Sequence, residues 1–339
     1  MKQQPIVHYY SLIFLSLSIP LTLLGVDIGS DSTVTRFNNL QVLSNGDRIA
    51  GFAALAGGFE LFNAATKATF DSFFGVSGPI RIKNGTLVLN RDLILQDAAQ
   101  FDSIGNIISN GHIMELAPTA TLIQANPQSL QCVILSDIDI ILNNDLLLKD
   151  VCITFTGDCL IDGRGNCLTI DSTSTLIVGF NSTLAFHDVT LVNVQGNILR
   201  CTDATSTVTF KETILELSSN YSFTIGHFDV LGNVEIRGEG LSFIYRSPSV
   251  STIQPEGRLI LDYNLTFSYA PTSANRDLIN LVDNTAQLIL NGNTLFSTTT
   301  GLRLTKGDIV IKRDSFLSAD GTVAGQGISF GDEIGRAHV

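Results

Sequence analysis

From about Gly78 onward, runs of aliphatic residues three to five long alternate with clusters of Asn, Gly, Asp and Ser. Thr86 to Leu89, Leu93 to Leu95, Val133 to Leu135, Cys152 to Phe155, Thr207 to Phe210, Arg258 to Leu261 and Gln287 to Leu290 are examples. No stretch keeps apolar residues at three- and four-residue spacing for the about ten positions a helix needs. The region therefore reads as all-β. Taking the leading aliphatic of similar triplets gives Leu95, Leu122, Leu148, Leu176, Val208, Val234, Leu259 and Leu288, a repeat near 27 residues. A strand of three residues buries too little surface to stand alone. Stacked coils put it beside its counterpart one turn on, pair its backbone and line aliphatics up inside. The pattern predicts a parallel β-solenoid of roughly 11 to 14 coils, a rod of about 50 to 65 Å at the usual strand spacing.

Both ends have a different texture. Lys2 is followed by an apolar run from Ser11 to Gly25 and then by the polar VDIGSDSTV, the layout of a secretory signal peptide over residues 1–25. The run is shorter than the about 20 residues of a membrane span. Residues 26–79 are expected to hold an N-terminal segment and cap, because Phe37 to Pro79 is rich in Ala and Phe. Gly51, Gly57 and Gly58 argue there for irregular strands, such as Ala68 to Phe74, over one long helix. The β-helix is expected over 80–332. The final EIGRAHV back-translates into a common sequencing-adapter read-through, so 333–339 is expected to be a scar, with the natural chain continuing beyond about Asp332.

Composition narrows the function classes. Hydrophobic residues make up 44% and charged ones 15% of 339, which excludes a disordered acidic chain. The 20 Lys and Arg against 32 Asp and Glu leave a net charge of -12, which repels phosphate backbones and disfavours nucleic acid as a partner.

The run Leu160-Ile161-Asp162-Gly163-Arg164-Gly165-Asn166 followed by Cys167-Leu168-Thr169-Ile170 resembles the turn-and-strand phrase of right-handed parallel β-helices in the pectin-lyase-like superfamily. The stretch FDSFFGVSGPIRIKNGTLVLNRDLIL looks like the opening of signal-bearing, functionally uncharacterised β-helix proteins of environmental bacteria such as the Dependentiae. The resemblance implies a right-handed parallel β-helix over about Phe37 to Asp332 and opens two enzyme readings, polygalacturonase-like hydrolases and pectate or pectin lyases. Hydrolases of that kind carry paired aspartates, then Gly-His-Gly, then Arg-x-Lys. Here Arg81-Ile82-Lys83 precedes every plausible acid, Gly111-His112-Ile113 lacks the second glycine, and no Asp-Asp or Asn-Thr-Asp element occurs.

Asp137 and Asp139 are the best carboxylate pair. Alternation along one strand puts both on the same face, with side chains roughly 6 to 8 Å apart, a separation inverting glycosidases use. Arg164 is the basic partner of that alternative, and Asp162 from an adjacent turn could complete a calcium site with the two acids. The competing reading is a solvated acidic flank. His112, His187 and His227 have no zinc-ligand spacing, and no nucleophile elbow or phosphate loop is present. Of the five cysteines, Cys159 with Cys167 could close the turn at Asp162 to Asn166, and Cys132 with Cys152 could stack in successive turns. Buried thiols filling the core are the equal alternative.

The sequence thus predicts a protein secreted by a bacterium or displayed on its outer surface. It would be a structural or binding module of adhesin or passenger type, with glycans or host and cell-surface proteins as partners, no cofactor, and no transmembrane span in the mature chain. The alternative is a carbohydrate-active lyase or hydrolase using Asp137, Asp139 and Arg164.

Overall fold

The computed structural model describes residues 25–97, 99–103, 105–123, 132–196, 198–273, 275–319 and 327–338. The leader expected over 1–25 lies, but for Gly25, outside them. Strand accounts for 56% of the described residues, which contain no helix, and the strands stack in parallel as a β-solenoid of about 13 turns. This is the all-β, right-handed parallel β-helix class the sequence points to.

Three short strands make one turn. Pro79–Ile82, Thr86–Leu89 and Leu93–Leu95 form one, and Gln100–Ser103, Asn106–Ile108 and Ile113–Leu116 form the next. Each strand pairs in parallel with its counterpart: Ile80 with Phe101, Leu87 with Ile107, Leu93 with Met114. Backbone groups too few to stabilise an isolated hairpin are therefore satisfied by the turns on either side.

Side chains alternate in and out along every strand, and equivalent inward positions fall directly over one another. Identical residue types then form stacks. Phe243, Phe267 and Phe296 lie in one register with ring centroids 5.3 and 4.9 Å apart, Tyr245 stacks on Tyr269 at 5.8 Å, and Phe186 on Phe210 at 5.8 Å. The buried tyrosines keep a polar partner: the Tyr269 hydroxyl donates to the Asn275 carbonyl at 2.8 Å and that of Tyr221 to Leu199 at 2.7 Å.

The repeat near 27 residues needs correction. Leu95 pairs with Leu116, and Leu122 with Phe101 on a different side of the coil, whereas Val234, Leu259 and Leu288 do stand in one register. All three sides carry similar aliphatic triplets, so the apparent repeat mixes triplets from different sides. One true row runs Leu87, Ile107, Leu135, Phe155, Val178, Cys201, in steps between 20 and 28 residues.

Asp27–Ile28, Arg48–Ile49, Lys67–Phe70 and Thr86–Leu89 pair in parallel one after another, so residues 27 to 79 wind as coils themselves. Their Ala and Phe content reflects tight inward packing, with Ala53, Phe59, Ala68 and Phe70 all buried. Of the expected strand Ala68 to Phe74, the structure forms Lys67–Phe70. At the far end, the backbone of residues expected to be a scar runs in the strand Ile328–His338, which pairs with Leu302–Ile311.

Candidate functional site

The corner before the strand Asp139–Leu142 decides what the predicted carboxylates can do. Asp137 sits there with φ 51°, in the left-handed region that Asp tolerates better than most residues. Its main-chain NH donates to the Thr156 carbonyl at 2.9 Å, and its own carbonyl accepts the Ser109 hydroxyl. Its carboxylate accepts the Asp158 NH at 3.1 Å, bracing the next coil. Asp137 lies at the corner before the strand that Asp139 opens, so the two do not sit on one strand, although both are exposed with Ile138 buried between them.

The structure instead brings Asp139 toward Asp162. Asp139 pairs with Leu160 and Ile141 with Asp162, so the two acids are diagonal neighbours on adjacent coils. Partial burial, and then the Asp162 charge, raise the Asp139 carboxyl above its ordinary pKa. Asp162 accepts the Arg164 NH at 3.2 Å and lies 3.6 Å from His187 Nδ1. The Arg164 guanidinium turns elsewhere, donating to Asn143 Oδ1 at 2.9 Å, and Asn143 in turn donates to Glu115 at 2.6 Å. Among the described residues no three His, Cys, Asp or Glu side chains are placed to hold a metal ion. Of the three acids considered for calcium, Asp137 already uses one carboxylate oxygen on the Asp158 NH.

The cysteines divide by facing. Val133 pairs with Ile153, which sets Cys132 beside Cys152 on the next turn, and these two are joined in a disulfide with Cα atoms 4.6 Å apart. Cys159 and Cys167 are both free, which corrects that expected pairing. Alternation turns Cys159 into the core and Cys167 toward the outer face. Burial pushes the Cys159 thiol up to about 11 and that of Cys201 to about 12, so both are inert apolar filler.

The outer row through Asp139 continues along the rod as Leu160, Ala185, Thr209, Asp229 and Thr252. The row beside it runs Ile141, Asp162, His187, Lys211 and Leu231. Both lead into a groove of about 1000 Å³. Its opposite wall is a third row, Asn233, Arg258, Gln287 and Asp308. Between the walls the strands Thr207–Phe223 and His227–Arg237 bend at Glu212, φ 49°, and Gly232, φ 62°. A Cβ on Gly232 would meet the Glu212 carboxylate at 1.9 Å, so only glycine lets that acid lie across the bend.

The groove is lined by amides, hydroxyls and charges. Asn233 donates to Glu212 at 3.2 Å, Gln254 donates to the Thr252 hydroxyl at 2.7 Å, and Thr252 donates to Asp229. Lys211 and Arg258 are exposed, and neither belongs to an ion pair among the described residues. None of these groove residues belongs to a recognisable motif. They are far apart in sequence, and only the coil register joins them.

Comparison with protein-family models, with curated proteins and with solved structures finds no match in any of the three. The phrase Leu160 to Asn166 has a local structural account of its own. It is the end of the strand Asp158–Asp162 and a turn through Arg164, φ 50°, and Gly165, φ 81°. Gly163 packs so closely on the next coil that a Cβ would lie 2.5 Å from that of Val189.

Proposed function

We propose that this chain is a secreted or surface-displayed binding rod whose groove, between the rows of Asp229 and Arg258, takes a glycan. The groove carries the reading: it is large, polar and open, and its side chains hydrogen-bond through amides and hydroxyls, as sugar hydroxyls require. Neighbouring coils repeat at about 4.8 Å, so successive side chains in each row meet successive positions of an extended ligand. Immobilised glycans and calorimetry test it. The protein retains at least one glycan class, and Asn233→Ala with Gln287→Ala weakens that binding about tenfold, the loss expected for one to two hydrogen bonds. Retention unchanged in the double variant would place the ligand elsewhere.

One observation favours a second reading, a carbohydrate-active lyase or hydrolase. The Asp139 carboxyl is raised by partial burial and by the Asp162 charge on the next coil, as a general acid requires. The basic group named for that chemistry, Arg164, is bound to Asn143 instead. On the binding reading, purified protein releases no product from a panel of polyuronides and neutral polysaccharides. Turnover abolished by Asp139→Asn would establish the enzyme in its place.

A further inference from the structure

The charges of the groove, taken with the binding reading on which this inference rests, narrow the ligand class. Four carboxylates, Glu212, Asp229, Glu256 and Asp308, face two cations, Lys211 and Arg258. The lining is therefore net negative on a chain already at -12. Salt screens charges beyond about 8 Å, which at the coil spacing still leaves the nearest row neighbours interacting. A uronate chain, with one negative charge on every sugar, would meet four carboxylates against two cations, a net repulsion.

Glu256 and Asp308 belong to no ion pair among the described residues, and their side chains have no hydrogen-bond partner there. Each is available to a cation brought by the ligand. We propose that the groove selects glycans carrying free amino groups over uronate-bearing or fully acetylated ones. The amines pair with Glu256 and Asp308, and the ring hydroxyls meet Asn233, Gln254 and Gln287. An extended basic peptide would carry similar charge but has no strand to join. His227–Arg237 is paired on one side with Thr207–Phe223 and on the other with Ser251–Ile253 and Arg258–Leu261. The lining's only apolar side chains are Leu231 and Pro255, too few to seat a peptide's alternate residues.

The test is calorimetry on the full chain at mildly acidic pH with four oligomers of equal length: glucosamine, N-acetylglucosamine, galacturonate and lysine. The glucosamine oligomer is expected to bind tightest and the galacturonate oligomer not measurably. Glu256→Gln and Asp308→Asn are each expected to weaken glucosamine binding about two- to fivefold, the range for exposed ion pairs. Both should weaken N-acetylglucosamine binding less than glucosamine binding. Tightest binding of galacturonate or N-acetylglucosamine overturns the inference and leaves the binding reading standing. So does a glucosamine preference that survives both substitutions, or oligolysine binding as tight as glucosamine. Binding of none of the four overturns the inference, and the binding reading falls only if the immobilised glycan panel retains nothing.

Discussion

Thr173, Thr205 and Thr285 play one part in three separate turns. Each follows an aspartate by two residues, and its hydroxyl donates to that carboxylate, Asp171, Asp203 or Asp283, at 2.7 to 2.8 Å. The same oxygen accepts a backbone NH from the previous coil, of Asp150, Asn181 or Glu256, each held at positive φ. A short Asp-x-Thr phrase thus locks one corner to the next. The Thr205 and Thr285 hydroxyls hold the Asp203 and Asp283 carboxyls below their ordinary pKa, and at Asp171 bonds from Ser174 and Thr173 outweigh the upward push of burial. A carboxyl depressed by folding adds stability above its unfolded pKa, near 3.9, and that stability is lost as pH falls through the folded value. Thr205→Val is therefore expected to lower stability at neutral pH and to speed exchange of the Asn181 amide, whose hydrogen bond to the Thr205 hydroxyl it removes. The difference should shrink in acid; an effect of equal size at every pH would contradict the account. Asp139 has the opposite sign. Its raised carboxyl destabilises the fold once ionised, so Asp139→Asn should melt higher than the parent at pH 7, the gap closing as pH falls through the raised value and gone below about 3.9.

At the scale of elements, the stacked aromatics and the cross-coil disulfide clamp neighbouring turns. Phe267 is fully buried between Phe243 and Phe296, and Phe267→Ala should cost about 3 kcal/mol or more in denaturant titrations, since the flanking rings cannot close the gap. Cys132–Cys152 closes 20 residues of chain, and reducing it should cost about 3 kcal/mol on the chain-entropy account, seen as a lower melting temperature in reductant. Unchanged melting would show that the bridge constrains nothing. These elements also show what sequence reveals. Short strands were legible because Val, Ile and Leu cluster between turn residues. The choice between two cysteine pairs was not, because it depends on which way each thiol faces. Likewise Asp137 and Asp139 read as one strand, because nothing in the sequence marks the left-handed corner at Asp137.

Over the whole molecule, the parallel winding was legible and its period was not, because three similar sides per turn blur any single repeat. The groove left no sequence signal, since Lys211, Asp229 and Arg258 are gathered by register alone. A stack held together by nearest-neighbour contacts unfolds segment by segment. Hydrogen exchange is therefore expected to show graded protection along the chain, and one uniform opening energy would contradict this. The most direct test of the central claim, that adjacent coils lie in parallel register and so build the groove, is a cross-link. Gln287 and Asp308 are register partners on the groove wall, whereas Ile309 points into the core. Oxidised Gln287→Cys/Asp308→Cys protein should show that disulfide by peptide mass mapping, and Gln287→Cys/Ile309→Cys protein should not, because a one-residue shift moves the second thiol to the opposite face. A bridge only in the shifted pair, or in neither, would contradict the account.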